Sequence, residues 1–416
     1  MVRRVVSRDG TRIAVAEAGD RTAPTLVCVH GYPDDRSVWD DVVSLLARRF
    51  HVVAYDVRGA GESDVPARRQ DYALDRLAED LEAVLAAVSP GRPAHLLAHD
   101  WGSIQSWHAV TSGALRGRIA SFTSISGPSL DHAGHWFRGK LRRPPGWLPA
   151  LRQLVHSTYI LFFRIPVVPE LGWRSGAGHR VLAKLSGSGA GRPAVADAVH
   201  GLELYRANIG ARLSRPEPRE AEIPVQVLAP LGDPYVTPPL QTEVGRWAPR
   251  LWVRRLPGGH WIPRERPDVI ARCAAELVEL AEGGPETRSL RRARSAGFGA
   301  HLVVVTGASR FALAAVAAFE AAGAEVVTAA APEDAEQFAK EIRERHGVPD
   351  VVVDGHGAGR AFAGQMAEQG EGGAVVLHDP AEAAHLRTRF PGITAVVADD
   401  GPPERAAKKV LRALAP

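Results

Sequence analysis

The sequence predicts an α/β protein with two sheet domains, and the order of its segments gives three reasons. Short apolar runs such as Thr25–His30 and His51–Asp56 alternate with segments of helical spacing such as Tyr72–Val88, which is typical of a parallel sheet covered on both faces. The alternation stops between about Asp131 and Glu220, where the chain is Trp- and Pro-rich, helical in spacing and without a strand. A fresh alternation begins at His301–Val305, after a stretch rich in Gly, Arg and Ser.

These changes divide the chain into five predicted segments. They are the first part of a sheet domain at 1–130, an inserted helical lid at 131–220, the second part of the sheet domain at 221–283, a linker at 284–298 and a second α/β domain at 299–416. The strand–helix alternation resumes after the lid at Val225–Ala229 and again at Leu251–Leu256. That pattern is typical of a lid inserted into a sheet domain.

Composition and charge exclude several classes of protein. Hydrophobic residues make up 45% of the 416 residues and charged residues 24%, which is ordinary for a globular enzyme. The formal net charge is +4, and no basic stripe is interleaved with aromatic residues, so we expect no nucleic-acid partner. Two cysteines, Cys28 and Cys273, cannot form a disulfide framework and favour the reducing cytoplasm. The N-terminal residues lack the apolar run of a secretory signal.

The most membrane-like stretch of the chain runs from Leu154 to Leu171. It carries His156, Arg164 and two prolines, whereas a transmembrane helix needs about 20 consecutive, predominantly apolar residues. The sequence therefore predicts a buried core helix at this point and no transmembrane segment.

The residues from Leu97 to Ser103 have the form that a sharp turn from a strand into a helix requires. Ala98 and Gly102 stand two positions before and after Asp100, and a tight elbow tolerates only small side chains at those positions. A carboxylate lifted above the sheet by such an elbow attacks an sp³ carbon, and the protein becomes the acyl half of an ester. Asp100 is thus the candidate nucleophile. The alternative is that Asp100 only caps a helix.

This elbow resembles that of the α/β-hydrolase superfamily, in particular the epoxide hydrolases and the haloalkane dehalogenases. The resemblance covers residues 1 to about 283 and includes the order nucleophile, acid, histidine along the chain. It implies that Asp233, just after a strand, is the acid that orients the catalytic histidine, and that His260 is the general base toward water. Asp131, just past another strand end, is a rival for the acid role in some relatives and ranks below Asp233.

The segment His30-Gly31-Tyr32-Pro33 resembles the HGxP element of the same superfamily. The resemblance implies that the backbone at Tyr32 and the N–H of Trp101 form an oxyanion hole for the charge that builds up when water attacks the ester. It also implies that His30, Pro33 and Trp101 contact the substrate. Pro33 favours an unusual turn, and the sequence leaves open whether its peptide bond is cis.

Two lid segments discriminate between an epoxide and a halide as substrate. An epoxide oxygen must be protonated as its ring opens, whereas a halide leaves without a proton. The segments Ser157–Pro166, with Tyr159, and Leu204–Asn208, with Tyr205, resemble those that carry the two acid tyrosines of epoxide hydrolases. Phenols with an ordinary pKa of about 10 can share hydrogen bonds to the epoxide oxygen. The alternative is that both tyrosines only pack within lid helices.

The resemblance therefore implies an epoxide hydrolase, a hydrolase of ether bonds that converts a hydrophobic epoxide to a vicinal diol through an ester on Asp100. One alternative is a haloalkane dehalogenase with the same triad, although Tyr32 stands where many dehalogenases use an amide side chain. A further alternative is a non-catalytic binding or scaffold protein, which the complete triad argues against. No cofactor and no metal are expected.

The second domain opens with His301–Arg310, which resembles the first strand and turn of short-chain dehydrogenases. The pattern TGxxxGxG of that family needs glycines where Phe311 and Leu313 stand, and side chains there would obstruct the approach of a pyrophosphate. The four residues that begin at Asp354, Asp-Gly-His-Gly, replace the Asn-Asn-Ala-Gly of the family. No tyrosine follows Tyr235, so the Tyr-x-x-x-Lys pair is absent.

These departures imply a degenerate, shortened, Rossmann-like domain without oxidoreductase activity. We expect it to be a structural or docking module, for example in a homodimer. The chain then resembles a fusion of an epoxide hydrolase with a short-chain dehydrogenase whose second part has lost its chemistry.

Overall fold

The computed structural model describes residues 2–142, 144–294, 301–329, 334–346, 348–355, 358–370, 372–398 and 402–414. The chain divides into two compact units, Met1–Arg254 with Gly258–Pro285, and Arg255–Pro257 with Glu286–Pro416. Part of the predicted linker, residues 295–298, lies outside the described residues, as do His356 and Gly357 of the predicted glycine turn. The residue bounds predicted above for the five segments remain predictions.

The first unit is built on an eight-stranded sheet with the order β1-β2-β4-β3-β5-β6-β7-β8. The strands are β1 Val2–Val6, β2 Arg12–Ala18, β3 Thr25–Val29, β4 His51–Tyr55, β5 Ala94–His99, β6 Ile119–Ile125, β7 Val225–Pro230 and β8 Leu251–Leu256. Strands β4, β3, β5, β6 and β7 pair in parallel. The pairs β1–β2 and β2–β4 are antiparallel. For β1 and β2 this follows from their connection, because no helix separates them and a short turn joins antiparallel neighbours.

The central strands are buried along their whole length because helices cover both faces of the sheet. Every residue of β3 and β5 is buried, which is the pattern of parallel strands in the middle of an α/β sheet. The core helices are α1 Asp40–Leu46, α2 Leu74–Val88 and α3 Trp101–Thr111, and, after the insertion, α11 Pro238–Thr242, α12 Ile262–Glu265 and α13 Pro267–Ala281. Short 3₁₀ turns lie at Arg36–Trp39 and Arg69–Tyr72.

Between β6 and β7 the described residues form helices without a strand, as the sequence predicted for the lid. The helices are α4 Leu130–Leu141, α5 Trp147–His156, α6 Thr158–Phe163, α7 Val168–Arg174, α8 Ala177–Ser186, α9 Val195–His200 and α10 Leu202–Ser214, with 3₁₀ turns at Pro144–Gly146 and Gly187–Ala190. The single buried helix predicted at Leu154–Leu171 is wrong. This stretch is divided among α5, α6 and α7, and Leu154, Leu161 and Leu171 are exposed.

The second unit contains a five-stranded sheet in which all strands are parallel, with the order β10-β9-β11-β12-β13. Its elements are α14 Arg288–Arg294, β9 Leu302–Thr306, α15 Arg310–Ala321, β10 Glu325–Ala329, α16 Ala335–His346, β11 Val351–Val353, α17 Gly359–Gln369, β12 Gly373–Leu377, α18 Pro380–Arg389, β13 Ile393–Val397 and α19 Pro403–Leu414. Apolar clusters pack on both faces of this sheet. The predicted fold class, an α/β core with inserted helices followed by a second parallel α/β domain, is confirmed.

None of the helices in the described ranges is both long and apolar enough to cross a lipid bilayer.

Candidate active site

Asp100 lies between the end of β5 and the start of α3, at the carboxyl edge of the sheet. Its backbone has φ 52° and ψ −123°, a region that residues with a side chain rarely adopt. The turn closes tightly, since a Cβ on Gly102 would lie 2.2 Å from the carbonyl oxygen of Val29. The small residues of the motif thus allow an elbow that holds a nearly buried carboxylate above the sheet.

The turn that follows β3 faces the Asp100 carboxylate. The N–H of Tyr32 donates to Oδ1 of Asp100 over 2.7 Å, and a Cβ on Gly31 would lie 2.4 Å from the same oxygen. The Tyr32–Pro33 peptide bond is cis. Trp101, the second residue predicted for the oxyanion hole, is the first residue of α3, where backbone N–H groups have no partner within the helix.

The ring of His30 is held by the backbone on both sides. The N–H of Val57 donates to Nε2 over 2.9 Å, so Nδ1 carries the proton and donates to the carbonyl oxygen of Gly31 over 2.9 Å. Both ring nitrogens are therefore hydrogen-bonded within the protein, and His30 fixes the turn that presents Tyr32. The substrate contact expected of His30 remains a prediction.

Asp233 and His260, which are predicted as acid and base, lie beside Asp100. Nδ1 of His260 is 3.0 Å from Oδ2 of Asp233, and Nε2 of His260 is 3.6 Å from Oδ2 of Asp100. Oδ1 of Asp233 accepts from the N–H groups of Tyr235 and Val236 over 2.8 and 3.0 Å. Asp131, the rival acid, lies in α4 and accepts from the N–H of Glu217, with the Arg219 guanidinium 3.3 Å away. Of the two candidates, Asp233 is the one bound to His260.

The ionisable side chains at this site shift one another's pKa values. Burial alone would lower the pKa of His260, but the negative charge of Asp233, with that of Asp100 and the hydrogen bonds to both, raises this pKa to about 10. Burial would likewise raise the pKa of Asp233, yet the charge of His260 and the backbone hydrogen bonds keep it below its ordinary value. At neutral pH an imidazolium thus lies between two carboxylates.

Two residues to which the sequence analysis gave no role hold the segment around His260. Nε2 of His99 lies 2.8 Å from the backbone carbonyl oxygen of His260, and burial, with the charge of His260, lowers the pKa of His99 to about 3. Asp34 accepts from Nε1 of Trp261 over 2.7 Å and from Arg264 over 2.6 Å. Because these contacts join residues far apart in sequence, no local sequence pattern predicts them.

A narrow cavity of about 40 Å³ lies above the Asp100 carboxylate, and the lid closes it. Its walls include both predicted lid tyrosines, Tyr159 of α6 and Tyr205 of α10, together with Tyr32 and His260. The ring centroids of Tyr159 and Tyr205 are 6.0 Å apart, and that of Tyr205 is 4.9 Å from the Trp101 ring. Phe163, Trp173, Leu182, Tyr235 and Trp261 complete the lining. These five residues were not predicted. Nothing in the sequence shows which faces of the lid helices turn inward, and Tyr235 and Trp261 lie outside the lid, beside Asp233 and His260.

The tyrosine hydroxyls of the cavity stay protonated at neutral pH. Burial raises the pKa of Tyr159 well above its usual value of 10, and the charges of Asp100 and Asp233 act in the same direction. Burial also raises the pKa of Tyr205, with smaller contributions from Tyr159 and Asp100. Tyr32 is engaged elsewhere, since its hydroxyl donates to the carbonyl oxygen of Ala198 over 2.9 Å. Tyr159 and Tyr205, the two predicted lid phenols, thus both line this cavity in protonated form.

The remaining predicted substrate contacts are divided between two neighbouring cavities. Pro33 lines the cavity that contains Asp100 and also a smaller one of about 20 Å³. Trp101 and His30 line the smaller cavity. Trp101 therefore reaches the larger cavity only through its ring contact with Tyr205.

Comparison with known proteins agrees with this geometry. The alpha/beta hydrolase fold family model matches residues 24–159. The chain is 37% identical over 420 residues to EphD of Mycobacterium tuberculosis, named a probable oxidoreductase, and the match covers 89% of this chain and 71% of that protein. The chain belongs to the same family as EphD. Its first unit is hereafter called the hydrolase unit.

Two further matches cover a smaller share of the chain. Epoxide hydrolase A of Mycobacterium tuberculosis is 33% identical over 168 residues, which is 40% of this chain and 49% of that protein. The crystal structure of a mutant of an epoxide hydrolase from Bacillus megaterium, in complex with its naphthyloxy-propanediol product, superposes with a TM-score of 0.56. It is 22% identical and covers 67% of this chain and 100% of that one. At this identity the superposition shows the shared fold.

The carboxyl edge of the sheet in the second unit is closed by its own side chains. Asp354, at the end of β11, accepts from the Thr306 hydroxyl over 3.0 Å and from the N–H groups of Ala358 and Gly359 at the start of α17 over 3.1 and 2.6 Å. Phe311 is buried and its ring lies 5.1 Å from that of His378. Leu313 is exposed. Asp354 thus uses N–H groups at the start of α17, whereas the turn that resembles a pyrophosphate site leads into α15, where Phe311 and Leu313 stand.

The strand order of the second unit also differs from the common dinucleotide-binding order. Numbered within the unit, the order is 2-1-3-4-5, whereas the common dinucleotide-binding order is 3-2-1-4-5-6. In the described part of the unit, β10 is therefore the edge strand of the sheet. The common order has one further strand beside the strand that corresponds to β10. Across the described ranges of both units, no cluster of three His, Cys, Asp or Glu side chains is arranged to hold a metal ion.

Proposed function

We propose that the hydrolase unit opens a hydrophobic epoxide to a vicinal diol through a covalent ester on Asp100. The observation that carries this proposal is a cavity lined by the Asp100 carboxylate and by both lid phenols, Tyr159 and Tyr205, with Tyr32 and Tyr235 beside them. A nucleophile opposite two proton donors suits the opening of a strained ether. The apolar and aromatic lining favours a hydrophobic substrate.

In the first step the free oxygen of Asp100, Oδ2, attacks one epoxide carbon from behind. A carbon–oxygen bond of the ring breaks as the ester bond forms, and a phenol proton passes to the ring oxygen. Oδ1 keeps its hydrogen bond from the Tyr32 N–H, so this oxygen becomes the carbonyl oxygen of the ester. It is then already in place to take up negative charge in the second step.

In the second step water attacks the ester carbonyl and His260 takes its proton. Esterification removes the negative charge of Asp100, which is one of the causes that raise the pKa of His260. The pKa of His260 therefore falls once the ester has formed. The ring loses its proton, and net transfer of one proton to the phenolate restores the phenol and leaves His260 as a competent base. Asp233 keeps the ring oriented and stabilises the imidazolium. Release of the diol returns Asp100 to a carboxylate.

The reaction class is tested with a panel of epoxides and haloalkanes. We expect diol from apolar epoxides and no halide from haloalkanes, because two phenols are placed to protonate a leaving oxygen, which a halide does not need. Product analysis and halide titration measure the two outcomes, with Asp100→Asn as the inactive control. Halide release without diol would assign the unit to dehalogenation instead. Neither product would favour a binding protein on this fold.

We also propose that the second unit does not act as an oxidoreductase, although EphD is named a probable one. No Tyr-x-x-x-Lys pair is present in its sequence. At the start of α15 the buried side chain of Phe311 stands where a dinucleotide site needs a glycine. This leaves the structural or docking role expected from the sequence, including a role in homodimer formation.

Calorimetric titration of the full chain with NADP and with NADPH is expected to show no binding heat, and neither compound is expected to shift the melting temperature. The reason is that Phe311 and Leu313 stand at the start of α15, where the close approach of a pyrophosphate needs glycines. A short-chain dehydrogenase of known affinity serves as the positive control. Saturable binding with a micromolar Kd would show that the crevice opens for a dinucleotide and would overturn this assignment.

A further inference from the structure

The lid carries an apolar surface that its own packing does not explain. Most of the exposed large hydrophobic side chains of the described residues lie between Leu141 and Leu185. In α5 the residues Leu148, Leu151 and Val155, spaced by three and four, are 76%, 60% and 61% exposed. The inner face of the same helix carries Ala150 and Gln153, which are buried. The apolar stripe of α5 therefore faces away from the protein.

The following lid helices have two apolar faces each. In α6, Tyr159 and Phe163 line the cavity while Leu161 is 67% exposed. In α7 and α8, Trp173 and Leu182 line the cavity. On the outer faces of these helices Leu171, Val181 and Leu185 are exposed. The helices that roof the cavity thus present a second, continuous series of apolar side chains outward.

Positive charge is concentrated in the same segment. Residues 138–192 contain ten Lys or Arg and one acidic residue, Glu170, whereas the whole chain carries a net charge of only +4. Glu170 is itself paired with Arg206 at 2.6 Å. Arg152, Arg180 and Lys184 are exposed and form no ion pair with any residue in the described ranges. The helices α5 and α8, which carry exposed apolar side chains, therefore also carry cations that are unpaired in the described part of the chain.

We propose that this outer face of the lid, helices α5 to α8, docks on an anionic lipid surface. Amphipathic helices with outward apolar residues and flanking Lys and Arg lie in the interface of a bilayer, with the apolar side chains inserted and the cations among the headgroups. A second copy of this chain is a poorer occupant, because a self-complementary interface would bring the two positive segments together. If the proposed function holds, a lipid-dissolved epoxide would then reach the cavity directly beneath the docked helices.

The test uses the full chain and no substrate, so that its outcome is independent of the proposed reaction. Protein is sedimented with vesicles of phosphatidylcholine alone or mixed with phosphatidylglycerol. We expect binding to the mixed vesicles, at least about tenfold weaker binding to phosphatidylcholine, and release as salt rises from about 0.1 M to about 1 M, where charge is screened within about 3 Å.

Two sets of variants locate the surface. The set Leu148→Ser, Leu161→Ser and Leu171→Ser, and the set Arg152→Glu, Arg180→Glu and Lys184→Glu, should each weaken binding at least about tenfold. Matched controls change exposed residues elsewhere, with Leu45→Ser and Leu313→Ser for the first set and Arg48→Glu, Arg405→Glu and Lys408→Glu for the second. These controls should bind as the unmodified chain does.

Several results would overturn the proposal. They are no sedimentation with anionic vesicles, equal binding to neutral vesicles, or equal loss of binding in the control variants. A dimer in analytical ultracentrifugation that the Leu→Ser set dissociates, without vesicle binding, would assign the face to self-association.

A second measurement does not depend on the two sets of variants. Brominated lipids should quench the fluorescence of Trp147, which is 56% exposed on α5. The part lost in Trp147→Phe reports this residue, and no difference between the two proteins would contradict docking through α5.

Discussion

Replacing His260 by Gln is expected to stop the reaction half-way and to leave the substrate attached to Asp100. The first half of the reaction needs the Asp100 carboxylate and a phenol proton, neither of which the substitution removes. The second half needs a base for water, which glutamine is not. General-base catalysis contributes roughly 10² to 10⁴-fold, so we expect steady-state turnover to fall by at least about 10² while the ester accumulates. Intact-protein mass spectrometry after mixing with a turned-over epoxide measures the adduct.

Peptide mapping should place this adduct on Asp100. The matched control is His108→Gln, which changes another buried histidine, near the other end of α3, whose Nε2 lies 2.7 Å from Asp75. This variant should turn over normally and show no adduct. Asp100→Asn should show neither turnover nor adduct. A His260→Gln protein that still forms diol at the normal rate would mean that another group activates water, and an adduct on a different residue would remove Asp100 from the nucleophile role.

The protonation state expected for His260 differs between the two steps of the proposed reaction. With both carboxylates ionised, its pKa is about 10, so at neutral pH the free enzyme holds an imidazolium and not a base. The protonated ring cannot activate water prematurely, and its charge stabilises the carboxylate that must attack. The ester removes one of the two negative charges. The same step that creates the need for a base therefore lowers the pKa of the residue that supplies it.

The parts of the site that the sequence could predict are those encoded by short segments. The elbow at Asp100 needs small residues two positions away on each side, and Gly102 is required because a Cβ there would meet Val29. Asp233 and His260 follow strands whose carboxyl ends share one edge of the sheet, so a strand prediction brings them together. Each of these inferences depends on fewer than about ten consecutive residues.

The parts that could not be predicted depend on contacts between distant segments. Asp34 binds Trp261 across 227 positions, and no spacing rule joins them. The exposed apolar side chains at the end of α5 and in α6 and α7 have the composition of a buried helix, and for that reason the stretch from Leu154 to Leu171 was wrongly predicted to be buried. Apolar periodicity shows that a helix has an apolar face, but not what that face meets. The role of His30 was missed for a similar reason, since its partner Val57 lies after the next strand.

Replacing Tyr159 or Tyr205 by Phe is expected to slow formation of the ester without slowing its hydrolysis. Each hydroxyl is a preorganised donor to the oxygen on which charge develops, and loss of one such donor typically costs about 10² to 10³ in rate. The double variant should lose most of the remaining ester formation. Single-turnover mixing followed by acid quench and mass spectrometry measures the rate at which the ester appears. The His260→Gln background makes the ester stable enough to count.

The matched control for these variants is Tyr55→Phe. Tyr55 lies in β4, its side chain is buried, and its hydroxyl has no hydrogen-bond partner among the residues that the structure describes. Removing that hydroxyl should leave ester formation unchanged. If the control and the lid variants slow the reaction equally, the effect comes from general destabilisation and not from the loss of a proton donor.

The lid variants also separate the epoxide reaction from its closest alternative. Phenylalanine keeps the ring contacts of Tyr205 with Trp101 and Tyr159, at 4.9 and 6.0 Å between centroids, so the shape of the cavity is preserved and only the proton is lost. Attack on a haloalkane releases a halide, which needs no proton, and a dehalogenase should therefore tolerate both substitutions. An epoxide hydrolase cannot, because an unprotonated alkoxide is a poor leaving group near neutral pH. Retained ester formation in the double variant would thus remove the reason for assigning this cavity to epoxides.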